Sequence, residues 1–354
     1  MDYALIGCGR IAKFHVMAAL KCGLNIIALC DLDTSKAQRF IDDYNLGEKV
    51  RVYNDYKTML AENGSITLVS IATESGSHAR IALDVIAAGK HVMIEKPVAL
   101  SMTDADEIIR SGKAHNVKVC VCHQNRFNSA VQALRRAVDE GSFGRITHGS
   151  IHIRWNRGMN YYSRDYWRGT WENDGGALMN QSIHGIDLLM WMMNSRVTSV
   201  YGVLRNFNHD YISAEDFGMA LLQFENGSCA TIEGTTTIFE RSEEACLCLY
   251  GINGAVKLGG LGVNKIESWN FLDNRNINAD EEISNVYGNS HPRLFMDMIN
   301  AVRNDTNPLV DAKAGMNALE VVLAIYRSFK EKCPVNLPLK DFSTLDMKGV
   351  YLNA

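Results

Sequence analysis

A glycine-rich hexamer near the start of the chain has the spacing of a phosphate-binding loop. Residues 7–12 read Gly-Cys-Gly-Arg-Ile-Ala and directly follow an apolar run. Gly7 permits a tight turn, Gly9 lets the backbone approach a pyrophosphate, and Ala12 allows the following helix to pack closely on the strand. The amide groups at the N-terminus of such a helix attract phosphate. The loop in this context predicts a dinucleotide-binding site.

Asp31 indicates which dinucleotide binds. It ends the second apolar run, 19 positions after Ala12. Its carboxylate can accept hydrogen bonds from both hydroxyls of the adenosine ribose, whereas a 2′-phosphate would meet like charge. No Arg or Lys lies between Asp31 and Lys36, so the usual partner of the NADP phosphate is missing. These features favour NAD. The alternative is that Asp31 is only a turn residue in the sequence Asp-Leu-Asp.

Two further clusters carry polar groups suited to chemistry. Glu95-Lys96-Pro97 follows the apolar run at residues 91–94, and the carboxyl ends of strands are where open α/β sheets bind ligands. A surface ion pair before a turn proline would give the same pattern.

The second cluster lies on a helix predicted over residues 176–193, directly after Gly175. Asn180, His184 and Asp187 fall at i, i+4 and i+7, which places them on one helix face. A single helical histidine is more often structural than catalytic, so this cluster needs support from the rest of the chain.

The elements that position these residues follow two different patterns. Residues 1–122 alternate short apolar runs with amphipathic helical stretches, which is typical of βαβ units with right-handed crossovers. The predicted strands are 3–6, 26–30, 51–53, 68–72, 91–94 and 118–122. We therefore predict an α/β fold whose N-terminal domain, residues 1–122, is an NAD-binding Rossmann domain with a doubly wound parallel sheet.

After residue 122 the pattern changes to strands with fewer helices. Helices are predicted up to about residue 140 and over 176–193, 294–303 and 314–330. Strands are predicted near 147–155, 197–205, 215–224, 228–236 and 245–250. This pattern predicts a C-terminal α+β domain, residues 123–354, with a large, mostly antiparallel sheet that binds substrate and forms oligomer contacts.

Composition limits the classes of function. A chain of 354 residues exceeds what one hydrophobic core usually organises, and a net charge of -4 lacks the basic excess of a nucleic-acid binder. No secretory signal pattern or membrane-length apolar run is visible, so we expect a cytoplasmic protein with no nucleic-acid or membrane partner. The nine cysteines are odd in number and lack zinc-site spacing; we expect reduced thiols and no metal.

The order and spacing of these motifs resemble the Gfo/Idh/MocA family of glucose-fructose oxidoreductases and inositol dehydrogenases across nearly the whole chain. The matching residues are 7–12, Ala72 and Thr73 with His78, Glu95 to Pro97, Gln124 to Phe127, and Gly175-Gly176 through His184 to Asp187. The resemblance implies a Rossmann domain followed by a sheet-bearing substrate domain. It also implies an active site between the two domains, with the nicotinamide near Lys96.

The resemblance also assigns roles. Lys96 and His184 become the catalytic pair at the reacting carbinol, and Glu95 contacts the nicotinamide ribose. A neutral imidazole can take the hydroxyl proton, and an ammonium group stabilises the developing alkoxide; a lysine with a lowered pKa could exchange these roles. The expected cofactor-binding residues are Gly7, Gly9, Arg10, Ile11, Asp31, Ala72, Thr73, Ser75, His78, Glu95, Lys96, Gln124, Arg126, Trp167 and Arg168.

This chain departs from the family at two positions. Many members carry Asp where Asn180 stands, and an amide cannot act as a general base, which places more weight on His184 and Lys96. Glu74 stands where the family commonly has proline.

Residues 154–171 concentrate arginines and aromatic side chains, which suit anionic oxygens and flat rings. The same side chains would suit an exposed loop or a subunit contact. The expected substrate-binding residues are Lys96, Arg157, Tyr162, Arg164, Asn180, Gln181 and His184.

Tyr162, residues 167–171 and residues 175–181 resemble the branch of the family that oxidises UDP-N-acetylglucosaminuronic acid at C3. The resemblance implies a 3-keto nucleotide sugar for diamino-sugar synthesis in surface polysaccharide such as lipopolysaccharide O-antigen. It also implies 2-oxoglutarate as a second substrate that reoxidises bound NADH, and a homotetramer formed through the open face of the second sheet. Two alternatives stay open: an inositol dehydrogenase-like enzyme of a free polyol or sugar, and a non-catalytic nucleotide-binding regulator.

Overall fold

The computed structural model describes residues 1–242, 244–272, 277, 279–283 and 286–352 and divides them into two compact units. The first unit consists of Met1–Ala99, Asp104–Gln124 and Ser290–Met316. The second consists of Leu100–Thr103, Asn125–Asn289 and Asn317–Ala354. A late segment of the chain, residues 290–316, therefore belongs to the unit that contains the glycine-rich loop.

The first unit is built on a six-stranded parallel sheet in the order β3-β2-β1-β4-β5-β6. Its strands are β1 (Asp2–Ile6), β2 (Asn25–Cys30), β3 (Arg51–Tyr53), β4 (Leu68–Ile71), β5 (His91–Ile94) and β6 (Val119–Val121). The strand order reverses beside β1, which is the position where open α/β sheets bind ligands. The predicted Rossmann-type sheet is confirmed.

Helices separate these strands, and side-chain caps set two of their starts. Asp33 accepts a hydrogen bond from the Ser35 amide at the start of α2, and Asp55 accepts hydrogen bonds from two amides at the start of α3. The helices are α1 (Ala12–Lys21), α2 (Thr34–Tyr44), α3 (Tyr56–Glu62), α4 (His78–Ala87) and α5 (Met102–Ala114).

The second unit contains an eight-stranded sheet in the order β13-β12-β11-β7-β10-β9-β8-β14. Its strands are β7 (Ile146–Arg154), β8 (Val197–Arg205), β9 (Phe217–Phe224), β10 (Cys229–Thr235), β11 (Glu244–Gly251), β12 (Gly254–Gly259), β13 (Lys265–Phe271) and β14 (Val335–Asn336). Neighbouring strands are antiparallel except β7 and β10, which are parallel. The predicted mostly antiparallel sheet is confirmed, with three strands more than the sequence indicated.

The predicted helix over residues 176–193 is wrong in its first part. A π-helical segment spans Ala177–Ser182, and the α-helix α8 spans only Ile183–Met193. Two helices, α6 (Ser129–Asp139) and α7 (Met159–Tyr162), precede it. A π-helix has a wider turn than an α-helix, so Asn180 does not keep the i, i+4 relation to His184 that an uninterrupted α-helix would give.

Close packing fixes α8 on the sheet of the second unit. A Cβ added at Gly185 would lie 2.7 Å from Ile151 and 2.9 Å from Ile153, both on β7. Two later helices are α9 (His291–Arg303) and α10 (Ala312–Glu331), and a 3₁₀ helix (Thr344–Met347) follows β14. Helix α9 packs against α1 in the first unit. Within the described residues, no helix combines the length and the apolar character that crossing a membrane requires.

Candidate active site

The glycine-rich loop lies between β1 and α1, beside the end of β4. Gly7 has a φ of +91°, and a Cβ there would lie 2.6 Å from the carbonyl carbon and oxygen of Ala72. Only glycine fits this position without strain. A Cβ added at Gly9 would meet nothing within 4 Å. The loop is therefore tight at Gly7 and open at Gly9, which suits the close approach of a phosphate group.

Asp31 places a carboxylate directly beside this loop. Its Oδ2 accepts a hydrogen bond of 2.8 Å from the Cys8 amide, and its Oδ1 accepts one of 2.9 Å from the Asp33 amide. Lys36 Nζ lies 3.9 Å from Oδ1. Asp31 therefore forms the turn and also presents oxygens that retain capacity for further donors, so the two interpretations of this residue are compatible.

The loops after β4 and β5 are joined by His78. Its Nδ1 lies 2.7 Å from the Pro97 carbonyl oxygen, and its Nε2 lies 3.2 Å from the Thr73 carbonyl oxygen. Burial lowers the pKa of His78, although both carbonyls oppose the shift. Thr73 and the buried Ser75 lie in the first of these loops. The contacts of His78 thus hold two predicted cofactor-binding loops together.

Glu95, at the end of β5, is held by a histidine that sequence reasoning missed. His15 Nε2, on α1, lies 2.9 Å from Glu95 Oε1, and the Lys96 amide donates to Oε2 over 3.2 Å. Burial alone would raise the pKa of Glu95, but the hydrogen bond and charge of His15, with smaller effects of His291 and Lys96, lower it to about 2. The carboxylate is therefore ionised despite its burial.

His15, Glu95 and Cys122 are also the one group of metal-ligand type among the residues the structure describes; their ligand atoms lie within 4.8 Å of one another. A metal would need the thiolate of Cys122, and burial raises the pKa of that thiol well above its ordinary value. The arrangement favours a hydrogen-bonded support for Glu95 over a metal centre.

Gln124 and Arg126 follow β6 on a short 3₁₀ turn, Gln124–Phe127. Gln124 Oε1 is buried and has no hydrogen-bond partner among the described residues, which leaves it available to a ligand. Arg126 makes two hydrogen bonds of 2.7 Å from Nε and Nη2 to the carboxylate of Asp187 on α8, and its guanidinium stacks 4.8 Å from the Trp191 ring. The structure brings Arg126 and Asp187 together as a buried ion pair.

The π-helical segment carries a network of buried amides. Asn180 Nδ2 donates to Asp174 Oδ1, and Gln181 Nε2 donates to Asn180 Oδ1. Tyr161 OH lies 3.3 Å from Asn180 Oδ1 and 3.0 Å from Gln181 Nε2. Every predicted amide in this network is therefore fixed in orientation by a neighbour. His184, on the first turn of α8, is half-buried.

Two arginines flank the Tyr161 ring. The Arg157 guanidinium lies 5.5 Å from the ring centroid and the Arg168 guanidinium lies 4.4 Å from it, and Arg168 also donates to Tyr161 OH over 2.7 Å. Arg168 stacks on Trp167 at 4.3 Å and pairs with Asp165 at 2.8 Å. The cluster concentrates positive charge around one phenol.

The other two predicted substrate contacts lie in different surroundings. Tyr162 is buried, with its hydroxyl 3.1 Å from Thr236 Oγ1, and burial raises its pKa. Arg164 is exposed. Tyr161 and Asp174 are site residues that sequence reasoning missed; the position of Asp174 directly before Gly175-Gly176 was the available signal.

Comparisons with known proteins place this site in a family. A family model described as the NAD-binding Rossmann fold of the Gfo/Idh/MocA oxidoreductases matches residues 1–123, and the model of the C-terminal alpha/beta domain matches residues 135–337. The scyllo-inositol 2-dehydrogenase (NAD(+)) of Bacillus subtilis is 22% identical over 345 residues, 95% of this chain and 96% of that protein. The uncharacterized oxidoreductase YrbE of the same species is 28% identical, and that match covers 65% of this chain and 66% of YrbE.

Two solved structures are more similar in sequence. The WlbA dehydrogenase of Bordetella pertussis, in complex with NADH and UDP-GlcNAcA, is 33% identical with a TM-score of 0.85, covering 96% of this chain and 99% of that one. The WlbA dehydrogenase of Chromobacterium violaceum, with the same two ligands, is 33% identical with a TM-score of 0.87, covering 96% of each chain.

Proposed function

Because the chain belongs to the Gfo/Idh/MocA oxidoreductase family and is an NAD-dependent sugar or polyol dehydrogenase, we propose that its substrate is UDP-N-acetylglucosaminuronic acid. The proposed reaction transfers hydride from C3 to NAD and yields the 3-keto nucleotide sugar. One observation carries the choice of substrate: 33% identity over 96% of the chain to two dehydrogenases bound to NADH and UDP-GlcNAcA, against 22% to the inositol dehydrogenase.

The side chains of the second unit support an anionic substrate. Arg157 and Arg168 flank Tyr161, and a carboxylate or diphosphate can accept charge-assisted hydrogen bonds from guanidinium groups. Arg168 pairs with Asp165, and Arg157 donates a hydrogen bond to the backbone carbonyl of Asn156. Both guanidinium groups are therefore candidates for the uronic carboxylate or the diphosphate.

We propose that Lys96 and His184 perform the proton chemistry. A neutral imidazole takes the C3 hydroxyl proton while hydride leaves, and the ammonium group stabilises the developing alkoxide. Asn180 cannot act as a base, and its amide is already oriented by Asp174, Gln181 and Tyr161. Its role in this proposal is to hydrogen-bond the sugar.

The direct test is turnover of the purified protein with NAD and UDP-N-acetylglucosaminuronic acid, with and without 2-oxoglutarate, followed by NADH absorbance and mass spectrometry of the sugar product. We expect a 3-keto product, and UDP should compete with the substrate. The absence of product under both conditions would reject the substrate. If the protein oxidises inositol and UDP does not inhibit that reaction, the free-polyol enzyme is favoured instead. The match to the inositol dehydrogenase over 95% of this chain supports that alternative.

The roles of the catalytic pair are tested by Lys96→Ala and His184→Ala. Each change should lower kcat by on the order of a hundredfold or more. His184→Ala should also leave NAD binding nearly unchanged, because His184 is not among the expected cofactor contacts. Near-normal kcat in both variants would reject the assignment.

We also propose a homotetramer formed through the open face of the second sheet. Tyr201, Met219 and Leu221 lie on β8 and β9 and are 46%, 46% and 48% exposed, and Tyr201 pairs across the strands with Leu221. Light scattering should give the mass of four chains. Leu221→Lys should lower that mass, whereas Leu345→Lys, at an exposed leucine outside the sheet, should not.

A further inference from the structure

A glutamate in the interior of the second unit has no charged partner among the residues that the structure describes. Glu215 is fully buried and lies two residues before the start of β9. Its Oε1 accepts hydrogen bonds of 2.9 Å from the Leu178 amide and of 2.9 Å from the Tyr326 hydroxyl on α10. Its Oε2 is buried without a hydrogen-bond partner among the described residues. Both donors are neutral, so no described group in contact with this carboxyl compensates a negative charge.

These contacts anchor the start of the π-helical segment. The first amides of a helix have no partner inside the helix and must find one elsewhere. The Ala177 amide donates to the backbone carbonyl of Glu215 over 2.8 Å, the Leu178 amide donates to its side chain, and the Gly176 amide lies 3.5 Å from Tyr326 OH. Glu215 and Tyr326 thus serve three consecutive amides.

Only glycine fits at position 176, where the segment contacts Glu215. A Cβ added at Gly176 would overlap both Oε2 and the carbonyl oxygen of Glu215. The glycine therefore lets the backbone of the segment lie directly on the carboxyl group. This explains the second glycine of the Gly175-Gly176 pair by a contact 39 positions along the chain from it.

The anchored segment leads straight into the candidate site. Leu178 stands two positions before Asn180 and six before His184. A π-helical turn is rarely stable by itself and persists where its surroundings hold it. A change in the hydrogen bonding of Leu178 therefore shifts the amide network and the start of α8 together.

We infer that Glu215 is a positioning residue which, as an uncharged acid, fixes the first turn of the π-helical segment and so sets the orientation of Asn180 and the start of α8 at His184. Burial raises the pKa of Glu215 to about 8, partly opposed by the hydrogen bonds from Leu178 and Tyr326 and increased by Asp216. The titratable groups facing it are Tyr326 on α10, the adjacent Asp216, and Tyr162 on α7. The acid is therefore mainly protonated at neutral pH.

The two tests are hydrogen exchange of the peptide spanning residues 174–184 and steady-state kinetics, each on Glu215→Gln, Glu215→Ala and a surface control, Glu107→Gln. Glu215→Gln keeps an uncharged side chain of the same length and should preserve slow exchange and a kcat within about threefold of the wild type. Glu215→Ala leaves the Leu178 amide without its acceptor, so exchange should accelerate and kcat should fall at least about tenfold, with little change in NAD affinity.

The exchange measurement requires no substrate and separates this inference from the proposed function, on which only its kinetic part rests. An absence of turnover by the wild type would overturn the substrate proposal, and exchange would still decide the role of Glu215. Two outcomes would overturn the inference. The first is exchange in Glu215→Gln as fast as in Glu215→Ala, which would mean that an ionised carboxylate is required. The second is slow exchange in Glu215→Ala. If Glu215→Ala fails to fold, Tyr326→Phe takes its place, with a smaller increase in exchange expected because one of the two donors is lost.

Discussion

The buried ion pair between Arg126 and Asp187 makes the stability of the second unit sensitive to the loss of one partner. Both Arg126 nitrogens that face the carboxylate lie 2.7 Å from its oxygens, and the two side chains are 7% and 1% exposed. Changing Asp187 to Ala removes one partner and leaves a guanidinium in a site from which water is excluded. We therefore expect a loss of stability far above that of a surface ion pair.

The expected magnitude follows from this burial. Breaking a buried ion pair by removing one partner costs about 3–5 kcal/mol, because the remaining charge is left uncompensated. For a chain of this size, 1 kcal/mol corresponds to a change in Tm of roughly 2–4 °C, so Asp187→Ala should lower the Tm by roughly 6–20 °C. The stacking of Arg126 on Trp191 at 4.8 Å partly holds the guanidinium in place, which favours the lower half of this range.

A double-mutant cycle isolates the interaction. Asp187→Leu, Arg126→Met and the double variant are compared by urea unfolding and calorimetry, with Arg196→Met as the control for an exposed ion pair, where Arg196 is 80% exposed. The double variant should be more stable than Asp187→Leu alone, because it buries no unpaired charge. The control should change stability by less than about 1 kcal/mol.

Two outcomes bear on the role of Arg126. A loss of stability below about 1 kcal/mol for Asp187→Leu would refute the view that Asp187 compensates the buried charge of Arg126. The sequence also predicts Arg126 as a cofactor contact. If that prediction holds, the KM for NAD should rise in the double variant even where its stability is restored; an unchanged KM would reject the contact.

Three further changes test the first unit. Asp31→Ala should raise the KM for NAD on the order of tenfold or more, because charge-assisted hydrogen bonds are worth about 1.5–3 kcal/mol each. It should also reduce the preference for NAD over NADP, measured as the ratio of their kcat/KM values. An unchanged ratio would contradict the assignment of Asp31 to the ribose. Gly7→Ala should lower the Tm, because φ at Gly7 is +91° and the added Cβ would lie 2.6 Å from Ala72, directly after β4. Gly9→Ala should leave the Tm unchanged, because an added Cβ there meets nothing within 4 Å, but it should weaken NADH binding in fluorescence titration. The pKa of Glu95 is lowered to about 2 in the folded state, which contributes about 3 kcal/mol to the free energy of unfolding. This contribution is present above pH 4.5 and is lost as the pH falls towards 2. His15→Ala should reduce this loss, as measured by unfolding curves recorded between pH 5 and pH 2.

Local patterns predicted the parallel sheet because its strands, apart from β3, are short apolar runs followed by a turn signal. The glycine-rich loop could also be predicted, because Gly7 and Gly9 belong to one motif of six consecutive residues. The strands β12 and β13 were not predicted. They contain glycine, lysine and glutamate and have half-exposed positions, so neither apolar alternation nor continuous burial identifies them.

The supporting contacts of the site were beyond sequence reasoning for a different reason. His15 is 80 positions from Glu95, and Arg126 is 61 positions from Asp187, and no local pattern encodes such distances. The π-helical segment was missed because six residues are too few for a period that separates a π-helix from an α-helix. The contact of Gly176 with Glu215 at its start joins positions 39 residues apart, and no local pattern encodes such a contact.

Two buried glutamates show how far environment, rather than residue type, determines charge. Glu95 has His15 at 2.9 Å and its pKa is lowered to about 2, whereas Glu215 has only neutral donors and its pKa is raised to about 8. Their amide variants should therefore behave differently. Glu95→Gln removes a negative charge and should weaken NAD binding, by on the order of tenfold if the carboxylate accepts a ribose hydroxyl, and Glu215→Gln should change it little. Isothermal titration with NADH measures both, and equal losses in the two variants would contradict the opposite ionisation states.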